Sequence, residues 1–328
     1  MKILPQRDSQ KGQALLIVLL AMAVMLTVVL SVASLSVTDI TVTTYEEDAL
    51  RAFSAAEAGV ETALLNTAVG PIPTPVTPLD PSDTTVKYDA VVTDPGESDD
   101  RFLYPDRLTS GDVATFWLVS HDDTGNLSCV VSEDCYGGNN INICWGDPNN
   151  IDPDPLKRPA IEAMLFYDIS ELTAKTDTFN GNTTNTTNNY QNLEVLRVAQ
   201  KDLSNTSAVG FVNAQPAGLC GDPSNPVDGE TFSHRTNIPL PAGCSNNYAC
   251  PIMIKVRLYF SDNFYEQPVG IIVSGGGPAS RLPAQGFQIS STGTAGGSER
   301  KVNVTQNYPE SPTLFDSAVF SERDLVHQ

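Results

Sequence analysis

The stretch that decides this chain is GQALLIVLLAMAVMLTVVLSVASLSVT, residues 12–38, 27 consecutive positions without a charge. As a helix it would extend about 40 Å, enough to cross a hydrocarbon core of roughly 30 Å. A secretory signal peptide has an apolar region of about 7 to 15 residues and small residues at a cleavage site beyond it, so this run is about twice too long for one. Ahead of it stands MKILPQRDSQKG, in which Lys2, Arg7 and Lys11 outweigh Asp8; the first charge beyond the run is Asp39. Positive charge is retained on the inner side of a membrane, so the N-terminus is expected in the cytoplasm and everything after Asp39 outside.

The helical pattern continues past the apolar run. No Gly or Pro occurs between Gln13 and Ala58, and Ala49, Phe53, Ala56, Val60 and Leu64 recur at three- and four-residue steps. These five predict the packing stripe, with Glu46, Glu47, Asp48, Arg51, Glu57 and Glu61 on the polar face. The β-branched run VTDITVTT, Val37 to Thr44, lowers helix propensity and predicts a bent or unwound turn. Asn66, Gly70 and then Pro71, Pro73, Pro75, Pro78 and Pro81 end the helix and begin an extended connector. The expected division is a leader at 1–12, a helix at 13–66 (transmembrane 13–38, amphipathic 39–66), a Pro-rich connector at 67–100 and an exported β-rich domain at 101–328.

Within that last part the sequence reads as short strands between turn-rich loops, with no second amphipathic helix. The strands expected are Val113 to Val119, Ile161 to Tyr167, Leu193 to Val198, Ile252 to Phe260 and Val269 to Val273. A final hairpin is expected across a Gly293 to Gly297 turn, with Phe287 and Ile289 on one arm and Val302 and Val304 on the other. In IMIKVRLYF, Lys255 and Arg257 alternate with Ile254, Val256, Leu258 and Phe260, which predicts a half-buried antiparallel strand. The tract Asn180 to Asn189 reads as an exposed loop. The fold class expected is α+β: one long N-terminal helix and a mainly antiparallel β domain.

Composition narrows the chemistry. With 39 acidic and 19 basic residues the formal charge is −20, so a nucleic-acid backbone would be repelled and no nucleic-acid partner is expected. Three histidines, His121, His234 and His327, leave little material for imidazole catalysis or a histidine zinc site. No Gly-x-Ser-x-Gly, phosphate loop or His-Glu-x-x-His occurs, and SGGGP at Ser274 to Pro278 is too bare to cradle phosphate. An enzyme is not expected, nor a catalytic residue, a cofactor or a metal. In DPNNIDPDP, Asp147, Asn149, Asp152 and Asp154 are hard oxygen donors, but the Asp-x-Asp-x-Asp-Gly run and distal Glu of an ordered calcium loop are missing. Asp122, Asp123 and Asn126 read as a β-turn.

All six cysteines, Cys129, Cys135, Cys144, Cys220, Cys244 and Cys250, lie beyond the apolar run, none spaced as Cys-x-x-Cys. An even number without clustered histidine predicts structural disulfides. Six cysteines allow 15 connectivities; some pairing is expected within Cys129 to Cys144 and some within Cys220 to Cys250.

A short basic leader ending in Gly12, an uncharged helix starting directly after it and an amphipathic extension of the same helix together resemble a type IV prepilin or pseudopilin. KGQALLIVLL and RAFSAAEAGVETALLN, residues 51–66, resemble the PilX-like minor pilins, and ISSTGTAGGSERKVNV, residues 289–304, is similar to the final hairpin of many such chains. The resemblance covers the first 66 residues well and the last 40 moderately. It implies a pilin-like fold, cutting between Gly12 and Gln13 by a prepilin peptidase, and partners comprising the membrane, an inner-membrane assembly platform, an assembly ATPase and sibling pilins or pseudopilins. Major pilins of the superfamily usually begin with Phe or Met and carry Glu at the fifth position after the cut; here those places hold Gln13 and Ile17. An ammonium buried in an apolar bundle is costly without a counter-charge. The absence, shared with many PilX-like pilins and the large K-type pseudopilin of type II secretion, implies a tip or initiating subunit. The rival expectation is an adhesin or receptor ectodomain on a permanent anchor, binding a surface ligand.

Overall fold

The computed structural model describes residues 11–65, 77–80, 82–97, 99–121, 127–128, 135–168, 193–242, 244, 250–261, 264–275 and 281–308. Its first element is a single helix, α1 (Lys11–Leu65), of 55 residues, about 80 Å at 1.5 Å per residue. The turn expected to unwind at Val37 to Thr44 is helical. The Thr38, Thr41, Thr43 and Thr44 hydroxyls each donate to the carbonyl four residues back, at 2.8 to 2.9 Å. That bond satisfies the hydroxyl within the helix's own turn, so the β-branched run lowers propensity without breaking the ladder.

Two compact units divide the chain. The first joins α1 to a four-stranded sheet, in the order β1 (Thr77–Asp80), β2 (Asp83–Thr93), β15 (Gly286–Ala295), β16 (Ser298–Asn307). Residues 67–100, expected as a connector, therefore hold two strands. The five prolines all precede β2, and Pro78 sits in the edge strand β1, where a missing N–H costs least. In β2 the alternation of Val86, Tyr88 and Ala90 marks the buried face. The last hairpin turns at Gly296 and Gly297, tighter than expected, and leaves Gly293 inside β15.

The second unit contains two five-stranded sheets. One has the order β10 (Val212–Asn213), β9 (Glu194–Lys201), β8 (Ala160–Tyr167), β13 (Pro251–Tyr259), β4 (Val113–Trp117). The other runs β11 (Gln215–Pro216), β12 (His234–Ile238), β7 (Asn140–Trp145), β14 (Val269–Ser274), β3 (Arg101–Leu103). A two-stranded ribbon, β5 (Ser120–His121) and β6 (Leu127–Ser128), completes it. Pairing is antiparallel except for the short β9–β10 contact. Phe116, Leu165, Ile254 and Val256 of one sheet share a core with Ile141, Ile143, Trp145 and Ile271 of the other. That shared burial is what a sandwich of alternating strands provides.

The five expected strands all form, with ends shifted by at most three residues. One expectation about faces fails. Lys255 is fully buried, whereas Met253, Arg257 and Tyr259 on the same side of β13 stay half-buried. Thr115 and Met164 stand beside it in register. At the open edge of β4, the Gln285 Oε1 accepts from the Trp117 N–H at 2.8 Å and its Nε2 donates to the Trp117 carbonyl at 2.9 Å. A side-chain amide thus stands in for a neighbouring strand and occupies an edge that would otherwise recruit one.

Candidate functional site

The helix carries two surfaces of different character. From Leu15 to Ile40 its large apolar side chains are 55 to 70 % exposed all the way round, and the span is long and apolar enough to cross a membrane. An apolar cylinder with no packed face has no stable place in water, so this half requires lipid or other apolar helices around it. Gly12 and Gln13 lie in its first helical turn. Ile17 is on the uncovered cylinder, 65 % exposed.

The second half of α1 is docked on the four-stranded sheet by small residues. Ala52, Ala55, Ala56, Gly59, Val60 and Ala63 are buried, and Ala52 and Ala55 pack with Val86, Tyr88 and Ala295. The expected stripe is corrected by this face. Ala56 and Val60 belong to it, Ala49 is half-buried at its margin, and Phe53 and Leu64 remain 44 % and 37 % exposed. The reason is distance: helix and sheet approach so closely that larger side chains do not fit. A Cβ on Gly59 would collide with the Ser291 hydroxyl, and one on Gly293 would collide with the Ala52 carbonyl and stand 2.5 Å from the Ala56 nitrogen. The signal for this face was the alternation of Ala and Gly through AFSAAEAGVETA, which a search for larger apolar residues passes over.

The cysteines pair partly as expected. Cys244 bonds Cys250 across six residues, within the second expected group, whereas Cys144 bonds Cys220 across 76 residues and joins the two groups. Cys144 lies in the central strand β7 and Cys220 beneath it, with Cα atoms 5.5 Å apart, a geometry that spacing along the chain does not reveal. Cys135 is also disulfide-bonded, and Cys129 lies outside the described residues. No cysteine among the described residues is free.

The oxygen donors of DPNNIDPDP do not converge. Asp147 accepts from Arg107 at 2.6 Å and from the Asn149 N–H; Asp152 accepts from the Asp154 N–H, and Asp154 caps a short 3-10 turn through the Leu156 N–H. Each carboxylate closes a local turn, and Arg107, reaching Glu230 as well, ties two loops together. Among the described residues no group of three or more metal-ligating side chains forms. Asp122, Asp123, Asn126, the Asn180 to Asn189 tract and most of SGGGP lie outside the described residues.

Two histidines find partners that sequence reading missed. His121 stacks on Tyr308 at 3.9 Å and meets Trp117 edge-on at 4.5 Å. Burial, with Asp94 and Glu97 nearby, pushes the Tyr308 hydroxyl up to about 12. His234 Nε2 lies 3.0 Å from Asp202 Oδ2, with Trp145 against its ring at 4.4 Å. Burial pushes Asp202 up, but the His234 bond, the Ser204 N–H and the His234 and Arg158 charges together outweigh it and hold the carboxyl below its usual range. This pair tethers β12 to the loop after β9. Compared with protein-family models, curated proteins and solved structures, the chain matches none.

Proposed function

We propose that this chain is a minor subunit of a type IV pilus-like filament, tip-located or initiating, trimmed between Gly12 and Gln13 and assembled through α1. The observation that carries the reading is the continuity of α1. One unbroken 55-residue helix is bare and apolar in its first half and docked on a sheet by small residues in its second. A permanent anchor needs only a span and a tether, whereas a rod fused to a folded body transmits axial movement, as an element extracted from lipid into a bundle of similar helices must. Such a transfer exchanges one apolar environment for another and never exposes the cylinder to water. The leader charges, the resemblance at residues 11–20 and 51–66, and disulfides beyond Asp39 fit export of the β-rich part into an oxidising compartment.

Gln13 and Ile17 support the terminal position. With no carboxylate near the new N-terminus, the subunit cannot neutralise the amine of a neighbour packed above it, so it is poorly suited to repeat along a filament. One observation favours the rival reading of an anchored receptor: Ile17 also suits a helix that never leaves the bilayer. Replacing Gly12 by Leu separates the two. A pilus subunit then keeps its leader and is lost from surface fibres; a receptor reaches the surface at parental levels.

A further inference from the structure

We infer that the outward face of α1 between Glu46 and Leu64 pairs with the helix of a non-identical subunit bearing Lys or Arg opposite Glu46, Glu57 and Glu61, and not with a second copy of this chain. The inference rests on the filament reading for the source of its partner and adds what that partner must look like.

At 100° per residue, Glu46, Leu50, Phe53, Glu57, Glu61 and Leu64 fall on the side of α1 away from its sheet-packed small residues. Leu50 is 69 % exposed and Phe53 44 %, so the sheet leaves this side uncovered. Positions 46, 50, 53, 57, 61 and 64 follow the four- and three-residue steps of one helix stripe. Beside the stripe, Leu50, Arg51, Ser54, Leu79 and Val86 line a recess of about 360 Å³, large enough to take a side chain from a partner helix.

Charge selects that partner. Residues 39–65 carry six carboxylates and one cation, and Arg51 is already bonded to Glu47 at 2.5 Å. Among the described residues no cation pairs with Glu46, Glu57 or Glu61. Two copies inserted in one membrane lie parallel, so an in-register pair would set each of these carboxylates against its own image. Like charges on a seam exclude the self-pair and opposite charges fix the hetero-pair and its register.

The test uses the full chain in membrane vesicles, with Ser54→Cys for oxidative cross-linking and two tags of different size. The probe partner is the same chain carrying Glu46→Lys, Glu57→Lys and Glu61→Lys. At low salt the mixed pair should cross-link at least about fivefold more than the parental pair, the factor that about 1 kcal/mol represents, and molar salt should erase the difference. A Gln version of the triple variant removes repulsion without adding attraction, and its self-pair should exceed the parental self-pair. Equal yields in all combinations, or a parental self-pair as strong as the mixed one, overturn the inference. The readout is made before any trimming, so a chain that keeps its leader overturns the filament reading while leaving this result to stand or fall separately.

Discussion

Replacing Gly293 by Ala tests the close seat of α1 on its sheet. The added Cβ would collide with the Ala52 carbonyl oxygen and lie 2.5 Å from the Ala56 nitrogen and 3.0 Å from the Ala52 carbonyl carbon. These are backbone atoms of a helix, so no change of rotamer relieves the contact. Carbon contacts settle at about 3.5 Å or more, so the helix must withdraw by about 1 Å. That loosens the packing of Ala52 and Ala55 against Val86, Tyr88 and Ala295. Overpacking of this kind costs about 1 to 3 kcal/mol, which raises the population of the opened state by roughly 5- to 150-fold. Hydrogen exchange of the full chain in detergent micelles, read by mass spectrometry on peptides from α1 beyond Tyr45 and from β2 and β15, should accelerate by that factor. Thr294→Ala, on the half-buried side of the same strand, should leave exchange near the parental rate. Parental protection in the Gly293→Ala variant would show that helix and sheet are not seated as described.

Three further outcomes follow from the second unit, which holds both tryptophans of the chain, Trp117 and Trp145, so fluorescence reports on it. Removing Cys144 and Cys220 together by Ala should lower the unfolding free energy by roughly 4 to 5 kcal/mol on the chain-entropy relation, because the bridge closes 76 residues; urea titration measures it. Removing Cys244 and Cys250, six residues apart, should cost about half as much on the same relation. The carboxyl of Asp202 is held down in the folded protein, so its contribution is present above the unfolded value of about 3.9 and is lost as pH falls below it through the folded value. An acid titration of stability should therefore show a fall below about pH 4 that Asp202→Asn diminishes; an unchanged profile in that variant would contradict the tether.

The apolar run and the strands with strong alternation were legible because one period dominates each: 27 uncharged residues, or IMIKVRLYF. β2 was also written plainly, as Val86, Tyr88, Ala90 and Val92 at every second place, but the proline run before it drew the reading toward a connector. The packed side of α1 was harder. Ala and Gly carry little hydrophobic signal, and what selects them is the nearness of a strand more than 200 residues away, at Gly293 and Ser291. The bridge between Cys144 and Cys220 and the contact of His234 with Asp202 depend in the same way on which strands become neighbours. Pairing of that kind is a property of topology, which no local pattern encodes.

In the proposed assembly a precursor helix is cut at its inner end and carried out of the bilayer. Mass spectrometry of the intact chain, recovered from membranes and from fibres sheared off the cell surface, tests it most directly. A mature chain beginning at Gln13 is expected in the sheared fraction. A chain retaining Met1 to Gly12 in both fractions would contradict it.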